Sequence, residues 1–320
     1  MNSGLSGQNK IEKKATVGFY NIENLFDTVD DPNIQDEEFL PEGVNAWTTE
    51  KYRQKQQNMA RVIAGFAPDI LGVSEIENRK VLEDLVQQPE IAGKRYQIAH
   101  LDMKDPRGVD VALIYRPAVF RPFSISAISI KDPKEPEFKT RDILWVKGLI
   151  FSDTLHVAVN HWPSRRGGKE DKRLLAAAVT RKAVDSVLRI NPEAKIIIMG
   201  DLNDDPNNKS VRKILVKNEE KPGSQELFNA SESTFKKGFG SLAYNGTWNL
   251  FDQIIMSPAL RQNKGLVGYL QESYSIFAPK WMQETEGKYA GMPARTFRGN
   301  KFNPSGYSDH FPVFIILQAP

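Results

Sequence analysis

The sequence predicts an α/β fold built on a largely antiparallel strand core, from three observations. Short apolar runs rich in β-branched residues recur from Thr16 onward, with stretches of helical period between them. The last apolar run, Phe311 to Leu317, is again a strand. No internal repeat and no convincing linker divides the chain, so residues 15–320 read as one domain.

Residues 1–14 read as a flexible leader, native or added. Their opening, Met1-Asn2-Ser3-Gly4-Leu5-Ser6-Gly7, lacks the charged-then-apolar pattern of a secretion signal. A trimmed signal would leave no trace, so the compartment stays open. Thr16 to Tyr20 is a strand ending on Asn21, and the acidic run Asp30 to Glu38 is a solvated loop. Thr48 or Thr49 caps a helix starting near Glu50, with Tyr52, Met59, Ile63 and Phe66 on one face, and Pro68 marks a break. Ile70 to Val73 is a buried strand that delivers Ser74-Glu75. Asn78 to Gln88 is a short helix. Tyr96 to Leu101 and Val109 to Tyr115 are strands around the turn Asp105-Pro106-Arg107-Gly108.

Ile143 to Phe151 and Leu155 to Val159 form a hairpin whose second strand delivers Asn160-His161. A long helix after Gly168 carries Leu175, Val179, Ala183, Val187 and Ile190 on one face, and Asn191-Pro192 ends it. Ile196 to Met199 is a buried strand, broken by Gly200 and followed by Asp201, Asn203, Asp204, Asp205 and Pro206. Asp201, Asn203 and Asp205 fit the first alternating positions of a calcium loop. Pro206 stands where that loop needs Gly and Arg212 where it needs a bidentate Glu, so the reading is rejected. Val211 to Val216 is a short helix, Lys221 to Gly246 a long surface excursion, and Trp248 to Met256 an ordered return carrying Asp252. Pro279 to Gly306 is irregular, rich in aromatic and basic residues, and leads to Ser308-Asp309-His310.

The chain has 320 residues, 40% hydrophobic and 26% charged, with a net charge of +3. No apolar run approaches the roughly 18 residues of a membrane helix. The absence of cysteine excludes disulfides and thiolate metal sites, so a metal must sit on oxygen or imidazole.

Four strands end on polar groups, at Asn21, Glu75, His161 and Asp201, and two begin just after Asp252 and Asp309-His310. In an antiparallel sheet the end of one strand lies beside the start of its neighbour, so all six sites are expected on one edge. Each alone reads equally as a turn former or a core residue. The repetition at six strand ends points to a polar site.

These residues carry a resemblance. Tyr20-Asn21-Ile22-Glu23-Asn24, Ser74-Glu75, Asn160-His161-Trp162-Pro163-Ser164, Gly200-Asp201-Leu202-Asn203, Phe251-Asp252-Gln253-Ile254 and Ser308-Asp309-His310-Phe311-Pro312-Val313 occur in the order seen in the endonuclease/exonuclease/phosphatase superfamily, whose deoxyribonuclease branch the chain resembles. The resemblance spans about Val17 to Phe314. It implies a four-layer sandwich: two mixed, mostly antiparallel sheets packed face to face, helices outside, and an active site at one edge. It implies a Mg²⁺-dependent, or Mn²⁺-dependent, phosphoester hydrolase. Glu75 would be the principal metal ligand, with Asn21 and Asp309 close to the metal or its waters. Asp201 would orient or deprotonate the attacking water, and Asn203 would hold it or a phosphate oxygen. His310, polarised by Asp252, would contact the phosphate. Whether His310 or Asp201 is the base stays open, as does one metal against two. His161 matches the family's second histidine. Asp110 resembles the acid that supports it, with a spacing that differs by one residue. Arg141 resembles a family arginine near the phosphate, or is an ordinary surface residue.

The substrate is read from the surroundings. Ser164, Arg165 and Arg166, followed by Lys169, place cations beside His161 that suit phosphate oxygens. Trp248, Phe297, Phe302 and Tyr307 suit base stacking or equally a core. The expectation is a monomeric nuclease, endonuclease-like, acting on nucleic acid. The alternatives are a small-molecule or inositol/lipid-headgroup phosphatase or phosphodiesterase, and a non-catalytic relative that binds polyanions.

Overall fold

In a computed structural model of the chain, the described residues are 13–319 except 220, 222 and 245; residues 1–12 of the expected leader lie outside them. The chain runs β1 (Lys14–Leu25), α1 (Thr49–Phe66), β2 (Ile70–Ile76), α2 (Arg79–Val86), α3 (Pro89–Ala92), β3 (Gln97–His100), β4 (Asp110–Tyr115), β5 (Phe120–Ile128), β6 (Ile143–Ile150), β7 (Asp153–His161), α4 (Glu170–Ile190) and β8 (Lys195–Asp201). After a wide helical turn at Ser210–Val216 come β9 (Phe228–Asn229), α5 (Glu232–Lys236), β10 (Leu242–Tyr244), β11 (Thr247–Asn249), β12 (Asp252–Met256), α6 (Pro258–Arg261), β13 (Gly268–Tyr269), β14 (Ser275–Ile276), β15 (Phe297–Arg298), β16 (Lys301–Phe302) and β17 (Val313–Gln318).

Two mixed sheets form the frame. The first has the order β13-β17-β1-β2-β4-β3, with β14 also on β17; the second has the order β5-β6-β7-β8-β12-β9. Their facing surfaces make one apolar layer, with Val17, Phe19, Val111 and Leu113 from the first sheet against Val146, Val157, Met199 and Ile254 from the second. Gly72 in β2 lets the sheets close: a Cβ there would sit 2.6 Å from the Met199 sulfur. The outer face of the first sheet is covered by α1 and α2, through Met59, Ile63, Leu82 and Leu85. The outer face of the second is covered by α4, through Ala176, Ala177, Val184 and Leu188. Helices therefore lie outside two face-to-face sheets, as expected.

Strand polarity explains the convergence better than antiparallel pairing alone. β1 and β2 run parallel, with Asn21 opposite Ser74. β7 and β8 also run parallel, with His161 opposite Asp201. Parallel neighbours end together, so each pair delivers two polar tips at the same edge. β12 meets β8 antiparallel, with Asp252 opposite Asp201, and β17 meets β1 antiparallel, so the residues just before β17 reach the same edge.

Several elements differ from the sequence reading. β1 runs five residues beyond Tyr20 because it passes through a bulge: its register with β2 shifts between Asn21 and Leu25. β5 was not expected at all. It is an edge strand with Pro122 inside it and a mostly exposed sequence. The buried face of α4 is offset from the expected one: Ile190 is 88% exposed, while Thr180 and Arg181 are buried. The excursion from Lys221 to Gly246 contains β9, α5 and β10, and the irregular 279–306 region contains the β15–β16 hairpin.

Candidate active site

Each functional side chain sits where a strand leaves the sandwich. Asn21 is buried, and its Nδ2 donates to Glu75 Oε1 at 3.2 Å and to Asp201 Oδ2 at 3.0 Å. The bulge after it adds a second anchor, because Asn24 N–H donates to Glu75 Oε2 at 3.1 Å. Both Glu75 oxygens are thus fixed from β1. Glu75 itself has φ +61°, a left-handed conformation unusual for a side-chain-bearing residue. The Asn21 Oδ1 accepts the Glu23 N–H at 2.9 Å, so Asn21 stands here as a donor bridging two carboxylates.

His161 Nε2 lies 3.8 Å from Glu75 Oε1 and 3.7 Å from Asp201 Oδ2. Its Nδ1 is buried with no hydrogen-bond partner among the described residues. The expected support, Asp110, is engaged elsewhere: His100 Nε2 lies 2.7 Å from its Oδ2, and Met103 N–H donates to Oδ1 at 3.2 Å. Burial, together with the Arg141 and Arg107 cations, holds the His161 imidazole well below its usual range.

His310 is the opposite case. Its Nδ1 lies 2.7 Å from Asp252 Oδ2, and its Nε2 lies 3.8 Å from Asp201 Oδ2 and 3.9 Å from Asp309 Oδ1. Burial opposes its charge, but Asp252, Asp201 and Asp309 carry it well above the usual range. Asp252 also accepts from the Ser241 hydroxyl, a partner that sequence reading missed. Ser308, inside a motif already singled out, is the other: its Oγ donates to the Asn21 carbonyl at 2.7 Å and accepts the His310 N–H at 3.1 Å. Asp201 is raised above the carboxylate range by burial, against the pull of His310 and with a push from Asp252.

Asn203, with φ +50°, donates from its backbone N–H to Asp201 Oδ1 and from Nδ2 to the Trp162 carbonyl, each at 2.9 Å. Arg141 is buried, not on the surface. It donates to the carbonyls of His161 and Trp162 at 3.2 and 2.9 Å and to Asp105 at 2.7 Å, so it shapes the end of β7. Ser164 and Arg166 are exposed. Arg165 is tied to the Asn203 carbonyl at 2.9 Å and to Asp205 at 3.1 Å. Asp309 accepts from Arg295 at 2.5 Å. Of the aromatics, Phe297 and Phe302 pack on Trp47 at 5.5 and 5.8 Å, and Tyr307 is buried against Trp281. Phe297 and Phe302 are half-buried, and Trp248 is the most exposed of the four, at 36%, stacked on Phe311.

The donor set suits a hard cation. Glu75, Asp201, Asp252 and Asp309 gather four carboxylates against the charged His310 and Arg295, and between Glu75 and Asp201 stand only a neutral amide and a neutral imidazole. Among the described residues, Asp201, Asp252 and His310 also offer ligand atoms within 4.8 Å of one another. Oxygen-rich, thiolate-free ligands select Mg²⁺ or Mn²⁺ over softer metals.

A family model described as the endonuclease/exonuclease/phosphatase family matches residues 16–319. No curated protein sequence matches the chain. Among solved structures, a humanized D. rerio TDP2 is similar with a TM-score of 0.60 at 14% identity, covering 95% of this chain and 98% of that one. An endonuclease/exonuclease/phosphatase family protein from Bacteroides thetaiotaomicron has a TM-score of 0.60 at 16% identity, covering 97% and 99%. The human Nocturnin catalytic domain, solved with a bound sulfate anion, has a TM-score of 0.59 at 13% identity, covering 97% and 98%. Among the described residues no helix is long and apolar enough to cross a membrane.

Proposed function

The chain belongs to the endonuclease/exonuclease/phosphatase family, and from that premise we propose that it is a phosphodiesterase that uses Mg²⁺ or Mn²⁺ and acts on nucleic acid. The observation that carries the reading is the excess of carboxylates around Asp201. A site this anionic repels a phosphoester unless a divalent cation joins it. Glu75 and Asp309 would hold the cation, with Asn21 fixing the Glu75 carboxylate. When bound, the cation neutralises charge on the phosphate and its leaving oxygen.

The protein's own groups supply the rest. His310, kept charged by Asp252, has no free lone pair and donates to a phosphate oxygen. Asp201, raised by burial, accepts the proton of the attacking water. Asn203 fixes the Asp201 carboxylate through its backbone N–H. His161, held neutral, keeps its Nε2 facing the same oxygens of Glu75 and Asp201, at 3.8 and 3.7 Å. A related structure, D. rerio TDP2 complexed with a single strand DNA product, supports a nucleic-acid substrate.

The test is hydrolysis of plasmid DNA, single-stranded DNA, RNA and a chromogenic phosphodiester, with Mg²⁺, with Mn²⁺, and in excess EDTA after dialysis. Turnover with either cation and none in EDTA is expected. Retained hydrolysis in EDTA overturns the cation requirement.

A further inference from the structure

Lys55 lies on the inner face of α1, fully buried, where its neighbours Met59, Val62 and Ile63 are apolar core residues. A buried ammonium is costly unless every proton finds an acceptor. Here Nζ donates to the carbonyls of Ile22 at 2.6 Å, Glu23 at 3.0 Å and Tyr307 at 2.8 Å, and also meets Thr296 Oγ1. These partners come from two segments far apart in sequence. One is the bulge of β1, just after Asn21. The other leads into Ser308-Asp309-His310.

The bulge needs such an anchor. Glu23 and Asn24 have φ +55° and +54°, two consecutive left-handed residues without a glycine, a strained backbone that its surroundings must hold. Turned this way, the carbonyls of Ile22 and Glu23 point into α1, and Asn24 N–H points at Glu75 Oε2. The Glu23 carboxylate closes the arrangement by accepting Thr296 N–H at 2.7 Å, next to Arg295, which holds Asp309.

We propose that Lys55 is a positioning residue for the cation site: it pins the β1 bulge and the Tyr307 carbonyl, so that Asn21, Asn24, Glu75 and Asp309 keep the geometry a hydrated divalent cation needs. The inference rests on the reading of Glu75 and Asp309 as ligands. It adds a residue that touches neither metal nor substrate and lies on a helix no site motif includes. An apolar side chain at position 55 would fill the space, take the ammonium from the Ile22 and Glu23 carbonyls, and leave the Tyr307 carbonyl to the Thr296 hydroxyl. Residues of this kind typically set metal affinity by 10- to 100-fold.

The experiment is Mn²⁺ binding to the metal-free protein, followed by electron paramagnetic resonance, alongside thermal melting. Lys55→Met is expected to weaken Mn²⁺ binding by about 10-fold or more. Lys55→Gln, which keeps two N–H donors, should weaken it less and carries the test if Lys55→Met does not fold. Met59→Ala, a cavity one helical turn away, should lower the melting temperature and leave Mn²⁺ affinity unchanged. Glu75→Gln tests the ligand assignment separately. If Glu75→Gln weakens binding and the Lys55 variants do not, or if Met59→Ala at equal loss of melting temperature weakens it as much, the positioning role is overturned alone. If Glu75→Gln binds Mn²⁺ like the wild type, the ligand assignment and the Lys55 role both fail.

Discussion

His310 and His161 face the same Asp201 oxygen, at 3.8 and 3.7 Å, and their surroundings keep the first charged and the second neutral. Asp252 sits behind the first; among the described residues nothing accepts from or donates to the Nδ1 of the second. Asp252→Asn should therefore disarm His310 with little change in the fold, since the amide keeps the shape. A fall in kcat of ~10²-fold or more, with KM nearly unchanged, is the expected outcome of steady-state kinetics. A third histidine, His156, gives a stability prediction away from the site. Burial, then Lys147, lowers it from the usual imidazole value to about 4, and its Nδ1 accepts from Trp145 Nε1 at 3.2 Å. The unfolded chain takes up that proton below about 6.5, and the folded protein only near 4. Stability from this group is thus complete above the unfolded pKa and is lost as pH falls toward 4. His156→Gln should flatten the melting temperature between pH 6.5 and 4, measured by circular dichroism. The contact between Asp252 and His310 was legible because both lie in short polar motifs whose order the family resemblance supplies. The partner of Asp252, Ser241, was not, because a serine 11 residues upstream in a polar excursion gives no signal of its own.

At the scale of the element, the strand tips that carry the site share a backbone feature. Glu23, Asn24, Glu75 and Asn203 are all left-handed without being glycine. Asn tolerates this conformation better than most residues, but Glu does not, so nothing in the sequence announced the bulge. Apolar period marked where β1 began and missed how it ended. The same limit explains α4. Its buried face includes Arg181, which reaches the carbonyls of Leu215, Val216 and Gln225, and Thr180, which bonds to Asn160. A rule that puts polar residues outside rotates such a helix wrongly. The bulge also yields a prediction. Asn24→Val places a β-branched residue at φ +54°, which should destabilise the protein by about 1–3 kcal/mol in urea unfolding. Asn24→Gly should be close to neutral there, and both should keep the Glu75 contact, because it uses the backbone N–H. A Val variant as stable as the wild type would show that the bulge is not under strain.

Across the whole molecule, the question is where 43 cationic residues go against 40 anionic ones. Sequence reading placed Arg165, Arg166 and Lys169 beside His161 as cations suited to phosphate oxygens, and a second basic stretch ahead of Asp309. The fold spends much of that charge internally. Arg165 pairs with Asp204 and Asp205, Arg295 with Asp309, Arg298 with Glu284, and Arg141 with Asp105. Distant acids cannot be matched to distant bases from sequence alone, which is why the segments looked more available than they are. Arg166 and Lys169 are left exposed beside the end of β7, without an ion pair among the described residues. A nucleic acid held at this edge should therefore release few counterions. Its apparent affinity should fall gently with salt, with a slope well below that of a dedicated polyanion binder. Arg166→Ala should reduce the slope by about 1, while Arg165→Ala should mainly lower thermal stability, because it unties the Asn203 carbonyl. The measurement is KM for single-stranded DNA against salt concentration in both variants, with a small phosphodiester as reference. If the small ester is turned over faster than DNA and Arg166→Ala leaves the DNA slope unchanged, no surface cation is meeting a backbone phosphate. The substrate is then a compact phosphoester, recognised within the carboxylate cluster and its cation alone.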